Sequence, residues 1–344
     1  MSEEIVNKNL GVIEVQPTET DFIAGIKGGI VFEKRVPSGD WTPWLPAGEP
    51  QYQSEQTAQY FHGLDTMACV PFSALNAIEI QINGFLKNNA LPAPTVARLQ
   101  ALGFLDENGL FNASDRFTAK ISGTTPAGNT LTAVADAIRH NGLVPEKLWP
   151  WDIKQTFDWN SYYAEIPDAV KAAGLEFLKL FDVAYEWVSN NPADIDQQLP
   201  HAPIQITTAV CPGWGTVNPV PACGGSQQHA TVYYAPGMKI YDSYAPYQKQ
   251  FGAGYKIYAA FKILITPKFM KQALEIYVVE GEQTLVIKNP AGKFYKVKTM
   301  PEFYPAVVRF LGIDPNKPFD KVSKAEVEAA FEGYYQFALA IIDK

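Results

Sequence analysis

The stretch "GLDTMACVPFSALNAIE" (residues 63–79) passes within a few residues from a polar turn to an apolar run, and a cysteine stands at the junction. From Cys69 onward, apolar side chains recur at steps of three and four residues, which is the spacing of one helix face. They are Phe72, Leu75, Ile78, Ile82 and Phe85. The pattern predicts a helix over roughly 69–87, with Pro71 in its first turn, where a missing N–H costs little.

Cys69 is open to two interpretations. A thiolate is a strong nucleophile, and the unpaired N–H groups and dipole of a helix N-terminus lower the pKa of a thiol placed there. Free cysteine is also among the most frequently buried residue types, so packing is the simpler explanation of this residue taken alone. A catalytic role therefore requires a base elsewhere in the chain, and a group that orients the base.

His229 and Asp242 are the pair that would supply these two groups. His229 opens the strand-like run "HATVYYA", and Asp242 follows the next such run, "MKIY", after a turn at Pro236-Gly237. Two antiparallel strands joined by that turn would bring their outer ends, and so these two side chains, within reach of each other. A carboxylate that accepts from one imidazole nitrogen fixes the tautomer and leaves the other nitrogen for a thiol. The alternative is a histidine at a strand start that bonds a loop carbonyl.

Composition excludes several classes of protein. With 47% hydrophobic and 19% charged residues among 344, the chain is typical of a folded protein of one large domain or two. A net charge of -8 argues against general nucleic-acid binding, which needs a basic face. The N-terminus lacks the apolar core of a signal peptide, and no run approaches the roughly 18 apolar residues of a membrane span. We therefore expect a cytoplasmic protein, or part of a larger particle, with no membrane partner.

Three cysteines and four histidines are too few for a disulfide scaffold or a multi-histidine metal site. No CxxC spacing occurs, and we expect neither a metal nor an organic cofactor. Cys211 and Cys223 could pair within one loop, which the sequence leaves open. His140 ends a helical pattern, where its charge suits the helix dipole. His201 is expected to be structural, and nothing in the sequence orients His62.

The order of the patterns predicts an α+β fold, with helical periodicity first and stretches rich in β-branched and aromatic residues from about 200 to 265. The tail after residue 265 differs. It predicts a three-stranded meander over 274–300, a short helix at 301–313, and a longer helix over 323–342 that opens with the capping box Ser323-x-x-Glu326. The expected division is an N-terminal segment that packs on the core (1–50), a core domain (51–265) and a C-terminal accessory module (266–344).

A series of short motifs runs in a characteristic order from about residue 40 to 265. "ACVPFSALN" places Cys69, Phe72 and Ser73 in a Cys-x-x-Phe-Ser helix start, and "HATV" and "DSY" follow much later. Five further motifs stand between them. A Ser-led short helix ("SDRFTAKISG") is followed by a Gly-rich turn ("TPAGN") and a helix that ends in Asn-Gly ("IRHNGL"). An aromatic segment with Pro ("PEKLWPW") and a strand that begins with Ala-Pro ("HAPIQI") come next. Taken together and in this order, the motifs resemble those of the papain-like cysteine peptidases.

The resemblance implies a papain-like two-lobed fold, with a helical half, an antiparallel β half and a site in the cleft between them. The small C-terminal α/β module lies outside the resemblance. The implied activity is that of a thiol protease, which hydrolyses peptide bonds of a peptide or protein substrate through a thioester acyl-enzyme. Cys69 would attack, His229 would take and return the proton, and Asp242 would orient His229. The Cys69 N–H and a glutamine, which we take to be Gln59, would hold the oxyanion.

The chain departs from the family at several positions. Asp242 stands where the family usually has Asn, Tyr244 where a Trp usually shields the His–Asn pair, and Val70 where a Trp follows the nucleophile. Gly63 stands where the oxyanion Gln is usual. The paired cysteines of many secreted members are missing, which is consistent with a reducing origin.

Two alternatives follow from these departures. One is a weak or inactive papain-like scaffold with a structural or attachment role in a larger assembly. The other is a Cys-His-Asp amidase or transglutaminase-like enzyme, which shares the order of the three residues. The C-terminal module is expected to be the surface for any protein partner.

Overall fold

Contacts between residues divide the chain into two units. Unit 1 comprises Met1–Asp21 and Lys34–Ile265, and unit 2 comprises Phe22–Glu33 and Thr266–Lys344. The structure is a computed structural model that describes residues 11–17, 34–46, 66–152, 158–244, 246–268, 275–280, 285–288, 294–298, 320–329 and 331–336. Among these residues, none of the helices has the length and apolar character needed to cross a membrane.

The helix that opens at the cysteine, α1, runs over Cys69–Lys87, and all its residues as far as Phe85 are buried. It is therefore a central helix of unit 1, surrounded by other elements on all sides. Buried polar groups must find partners, and those of α1 bind the surrounding chain. Glu79 Oε1 accepts from the backbone N–H of Ala113 at 3.0 Å, and Asn83 Oδ1 accepts from that of Phe111 at 2.9 Å.

The other helices of unit 1 surround this core in chain order. They are α2 (Ala93–Leu102), α3 (Asp115–Ile121), α4 (Leu131–Asn141), α5 (Trp159–Tyr162), α6 (Asp168–Leu180) and α7 (Pro192–Gln198). Side-chain oxygens cap two of them: Ser114 accepts from the third residue of α3, and Thr130 does the same for α4. Both α3 and α4 pack on α1.

A six-stranded sheet forms the second half of unit 1. Its strands are β1 (Phe181–Val188), β2 (Ile204–Thr208), β3 (His229–Ala235), β4 (Lys239–Tyr241), β5 (Gln248–Gln250) and β6 (Ile257–Pro267), in the order β1-β6-β2-β3-β4-β5. The pairings of β6 with β2, β2 with β3, β3 with β4 and β4 with β5 are antiparallel. Because α1 lies against β3, helices and sheet share one core. The α+β prediction is confirmed.

Strand β1 is absent from the sequence-based expectation. Helix α6 ends at Leu180 and β1 begins at the next residue, Phe181, so no Gly, Pro or other turn signal separates them. The strand is defined instead by its place beside β6 and by the burial of Phe181 and Val183.

Parts of the N-terminal segment lie against this core. Trp41 is 1% exposed, and its Nε1–H donates to the carbonyl of Leu199 at 2.7 Å. Its backbone N–H donates to the carbonyl of Tyr234 in β3. Further along the chain, Arg35 Nη1 donates to Gln81 of α1 at 2.8 Å. Buried aromatic area and paired polar groups thus hold residues 34–46 to the rest of unit 1.

Unit 2 contains a second sheet. Its elements are β7 (Glu275–Val279), β8 (Leu285–Lys288), β9 (Phe294–Lys298), β10 (Asp320–Val322), α8 (Lys324–Ala329) and β11 (Phe331–Gln336). The strand order is β10-β7-β8-β9-β11. The antiparallel meander β7-β8-β9 has the form that the sequence predicts, and β10 and β11 add to its two edges in parallel.

The longer helix expected over 323–342 is wrong in its extent. Ser323 caps α8 through the N–H of Glu326, as the capping box predicts, but α8 ends at Ala329. The next residues form β11 because pairing with β9 outweighs the local helix pattern, and the run "FEGYYQ" carries aromatic residues that favour strands. The short helix expected at 301–313 lies outside the described residues.

Candidate active site

Cys69 is the first helical residue of α1. The turn before it is held in an unusual backbone conformation, because Met67 has a φ of 58°, in the left-handed region that non-glycine residues rarely adopt. The Tyr163 hydroxyl fixes this turn by donating to the carbonyl of Thr66 at 2.7 Å. The chain therefore enters α1 in a way that places the thiol at the helix N-terminus.

Strand β2 braces the first turn of α1 against the sheet. Gln205 Nε2 donates to the carbonyl of Val70 at 2.9 Å and to Ser73 Oγ at 2.8 Å. Ser73 Oγ in turn donates to the carbonyl of Cys69 at 2.7 Å. All of these groups are buried, so the position of Cys69 relative to the sheet is fixed by hydrogen bonds as well as by packing.

His229 and Asp242 meet at the outer end of the β3-β4 hairpin. His229 is the first residue of β3 and Asp242 follows β4, and His229 Nε2 lies 2.6 Å from Asp242 Oδ1. The Nε2–H therefore donates to the carboxylate, which leaves Nδ1 as the nitrogen available to a thiol. The structure brings this pair together as the sequence predicts from the hairpin.

The Cys69 thiol lies beside the imidazole. Burial by itself would lower the pKa of His229, but the charge of Asp242, its hydrogen bond, and the hydrogen bond and charge of Cys69 outweigh burial and raise that pKa to about 10. Within the part of the chain that the structure describes, no hydrogen-bond partner meets the geometric criteria at His229 Nδ1. At neutral pH the imidazole is thus a buried cation whose neighbours include a carboxylate and a thiol.

Two residues that sequence reasoning missed complete the surroundings of Asp242. Trp214 Nε1–H donates to Asp242 Oδ2 at 2.7 Å, and Lys249 Nζ donates to the same oxygen at 2.6 Å. Burial would raise the pKa of Asp242, but Lys249 and His229 outweigh it and hold the pKa well below its usual range. The proximity of Trp214 to Cys211 in the sequence was the one available signal for it.

The pairing that the sequence leaves open is present: Cys211 and Cys223 form a disulfide. Trp214 lies in the loop that this bond closes, and its ring stands edge-on to the imidazole of His229, with centroids 5.4 Å apart and planes at 84°. Tyr244, the expected shield, lies at 5.3 Å on a tilted plane. Two aromatic rings therefore exclude water from His229, and the disulfide tethers one of them.

The expected cleft stays a prediction, and the side chains that would lie in it are buried. Cys69 is 3% exposed and His229 is fully buried. All three side chains of the Cys–His–Asp arrangement are thus buried in this structure. Gln59, the expected oxyanion donor, lies outside the described residues.

The raised pKa of His229 predicts that stability depends on pH. A group whose pKa is higher in the folded state contributes stability that is fully present below the unfolded value of 6.5 and is lost as pH rises towards about 10. Because a thiol beside the imidazole can give up its own proton and offset this effect, the comparison uses the Cys69→Ala background. We expect the difference in unfolding free energy between Cys69→Ala and Cys69→Ala/His229→Gln to shrink steadily as pH rises over that range. Urea denaturation at pH 6, 7, 8 and 9 measures it. A difference that stays constant over these values would contradict the raised pKa.

Comparison with known proteins finds similarity only among solved structures. No family model matches the chain, and no curated protein matches it. Xylellain, a cysteine protease from Xylella fastidiosa, is 14% identical with a TM-score of 0.41, over 58% of this chain and 79% of that chain. The bromelain protease from Ananas comosus is 14% identical with a TM-score of 0.36, over 57% and 88%. Digestive procathepsin L 3 of Tenebrio molitor is 12% identical with a TM-score of 0.44, over 74% and 76%.

At these identities and TM-scores, similarity supports no conclusion about activity. The function proposed for this chain therefore rests on its own side-chain geometry.

Proposed function

We propose that the protein is a cysteine-type peptidase that hydrolyses peptide bonds through a thioester acyl-enzyme. One observation carries this proposal: a single buried imidazole interacts electrostatically with the Cys69 thiol and donates from Nε2 to Asp242 at 2.6 Å. A nucleophile, a base within reach of it and a group that orients the base are the three parts that covalent catalysis of acyl transfer needs.

The proposed reaction begins with the Cys69 thiolate and the protonated His229 as an ion pair. The sulfur attacks the scissile carbonyl, and the C=O electron pair moves to the oxygen. His229 then gives its proton to the leaving amine, the C–N bond breaks and a thioester remains on Cys69. Neutral His229 next takes a proton from water, and the resulting hydroxide attacks the thioester carbonyl. The C–S bond then breaks, the acid product leaves, and the Cys69 thiolate and protonated His229 are restored.

The oxyanion needs donors at the helix start. The proposed donors are the backbone N–H of Cys69, at the first position of α1, and the side chain of Gln59. Removing one such donor in an acyl-transfer enzyme typically costs about 10²-fold or more in kcat. No metal or organic cofactor enters any of these steps.

Labelling by a thiol-directed epoxide tests the proposal. Cys69 is the one cysteine outside the disulfide, so the protein offers a single target. We expect stoichiometric labelling of Cys69 that stays at least about tenfold faster than that of a free thiol at pH 6, where ordinary thiols are largely protonated. His229→Ala should abolish this advantage, because it removes the cation beside the sulfur.

The urea-unfolded protein supplies the matched control, since the same Cys69 is then an ordinary exposed thiol. Mass spectrometry of the labelled peptide identifies the site. Labelling of the native protein that is no faster than that of the unfolded chain, or that survives His229→Ala unchanged, would sink the proposal. That outcome would leave the scaffold role as the better explanation of the buried thiol.

Product analysis separates peptidase from amidase or transglutaminase activity. Incubation with a peptide library should release new N-termini, detected by mass spectrometry. Transfer of the acyl group to an added primary amine without new N-termini would instead indicate a transglutaminase-like reaction.

A further inference from the structure

Lys249 is a buried cation that none of the proposed catalytic roles uses. It lies in β5 and is 3% exposed. Its ammonium donates to Asp242 Oδ2 at 2.6 Å and to the carbonyl of Tyr244 at 2.5 Å, and it lies 5.4 Å from the centre of the Trp214 ring. Burying an ammonium group is costly unless its charge is paired and its donors are satisfied.

The contacts of Lys249 complete the hydrogen bonds of the Asp242 carboxylate. Oδ1 receives His229 Nε2 at 2.6 Å and the N–H of Ser243 at 2.8 Å. Oδ2 receives Lys249 Nζ at 2.6 Å and Trp214 Nε1 at 2.7 Å. A carboxylate has about four lone-pair sites, so every acceptor direction is used and the group cannot rotate without breaking a bond. The hydrogen bond between Oδ1 and the His229 imidazole is thereby maintained.

Charge gives Lys249 a second effect. A neutral amide could orient an imidazole without adding charge, whereas Asp242 brings a negative charge into a site closed to water. The thiolate and the imidazolium of the proposed ion pair balance each other. Lys249 balances the remaining charge, and its ammonium contacts Oδ2 of the carboxylate, whereas His229 contacts Oδ1.

We propose that Lys249 is a positioning residue of the candidate site, which holds the Asp242 carboxylate towards His229 and offsets its charge. A catalytic effect of Lys249 is expected only if the proposed peptidase function is correct. The titratable groups that act on Asp242 are His229 from β3, Lys249 from β5 and Tyr255 after β5. Cys69 acts through His229.

Removal of the cation has a defined consequence. In Lys249→Met, the full charge of Asp242 acts on the imidazolium, so His229 should bind its proton roughly tenfold more tightly. A more tightly held proton is transferred less readily to the leaving amine. We therefore expect kcat to fall about tenfold or more while KM changes little.

Histidine NMR measures the first effect without reference to activity. The chain has four histidines, and His229→Ala assigns the signal of interest. The pH titration of His229 is recorded in wild type, Lys249→Met, Asp242→Asn and the double variant. Lys262→Met is the matched control, because Lys262 is another buried lysine of the same sheet, paired at 2.5 Å with Glu186. It should lower stability and leave the titration of His229 unchanged.

The double variant provides the decisive comparison if Lys249→Met alone does not fold. In Asp242→Asn the buried ammonium has lost its counter-charge and faces the imidazole. Adding Lys249→Met should then raise the proton affinity of His229 and the unfolding free energy above those of Asp242→Asn. Equal values for Asp242→Asn and the double variant overturn the proposal.

The two proposals fail in distinguishable ways. Hydrolysis by the wild-type protein together with an unchanged His229 titration in Lys249→Met rejects the role of Lys249 and keeps the peptidase. A shifted titration together with no hydrolysis and no selective labelling keeps the coupling of Lys249 to His229 and rejects the peptidase.

Discussion

Replacing Cys69 by serine is expected to lower kcat/KM for peptide hydrolysis by at least about 10³-fold, on the scale seen when a nucleophile is removed from other acyl-transfer enzymes. A serine hydroxyl must lose its proton to a base as it attacks. The charge and hydrogen bond of Asp242 still raise the pKa of His229 in this variant, and a protonated imidazole cannot accept that proton. The arrangement suits a thiolate paired with an imidazolium and does not suit a hydroxyl.

The control for this prediction is Cys69→Ala, which should be as inactive as Cys69→Ser. Both variants should stay folded and should lose similar amounts of unfolding free energy, because each removes the sulfur beside the buried imidazole. Steady-state hydrolysis of a peptide substrate and urea denaturation provide the two measurements. Substantial activity in Cys69→Ser would show that His229 is neutral and that the proposed ion pair is wrong.

Replacing Asp242 by alanine is expected to lower the unfolding free energy by about 3–5 kcal/mol, the cost of leaving one member of a buried ion pair without its partner. The Lys249 ammonium would lose its carboxylate, and the N–H of Trp214 would lose its acceptor. His229 would also lose the bond from Nε2 and part of the charge that raises its pKa. Activity should therefore fall together with stability.

Glu186→Ala separates these two effects. It removes the carboxylate from the Lys262 ion pair, which is as buried as that of Asp242 with Lys249. We expect a comparable loss of stability by urea denaturation, with selective epoxide labelling of Cys69 retained. A loss below about 1 kcal/mol in Asp242→Ala would mean that Lys249 is neutral or that water reaches it.

The sequence predicts those parts of the site whose structure depends on residues close together in the chain. The steps of three and four residues after Cys69 define α1, and the turn at Pro236-Gly237 defines the hairpin that joins His229 to Asp242. Each of these depends on contacts within one element or between two strands joined by a tight turn.

The parts that sequence reasoning missed depend on distant contacts. Trp214 lies in a loop that a disulfide closes, and this loop brings it to Asp242. Nothing in the sequence around Lys249 indicates burial, which results from the pairing of β5 with β4. The sequence of β11 has a helical pattern, and for that reason a longer helix is expected there. Pairing with β9 makes it a strand instead. A single sequence does not specify which distant elements pair, so these features required the structure.

The candidate site needs one cysteine reduced and two others oxidised. The nucleophile must remain a thiol, since oxidation of Cys69 would consume it. The loop that covers the histidine is held by Cys211 and Cys223 in the oxidised state. A strongly reducing medium satisfies the first demand and opposes the second. For the proposed enzyme, a reductant that keeps Cys69 as a thiol also attacks the bond that closes the Trp214 loop, so its two effects on the site oppose each other.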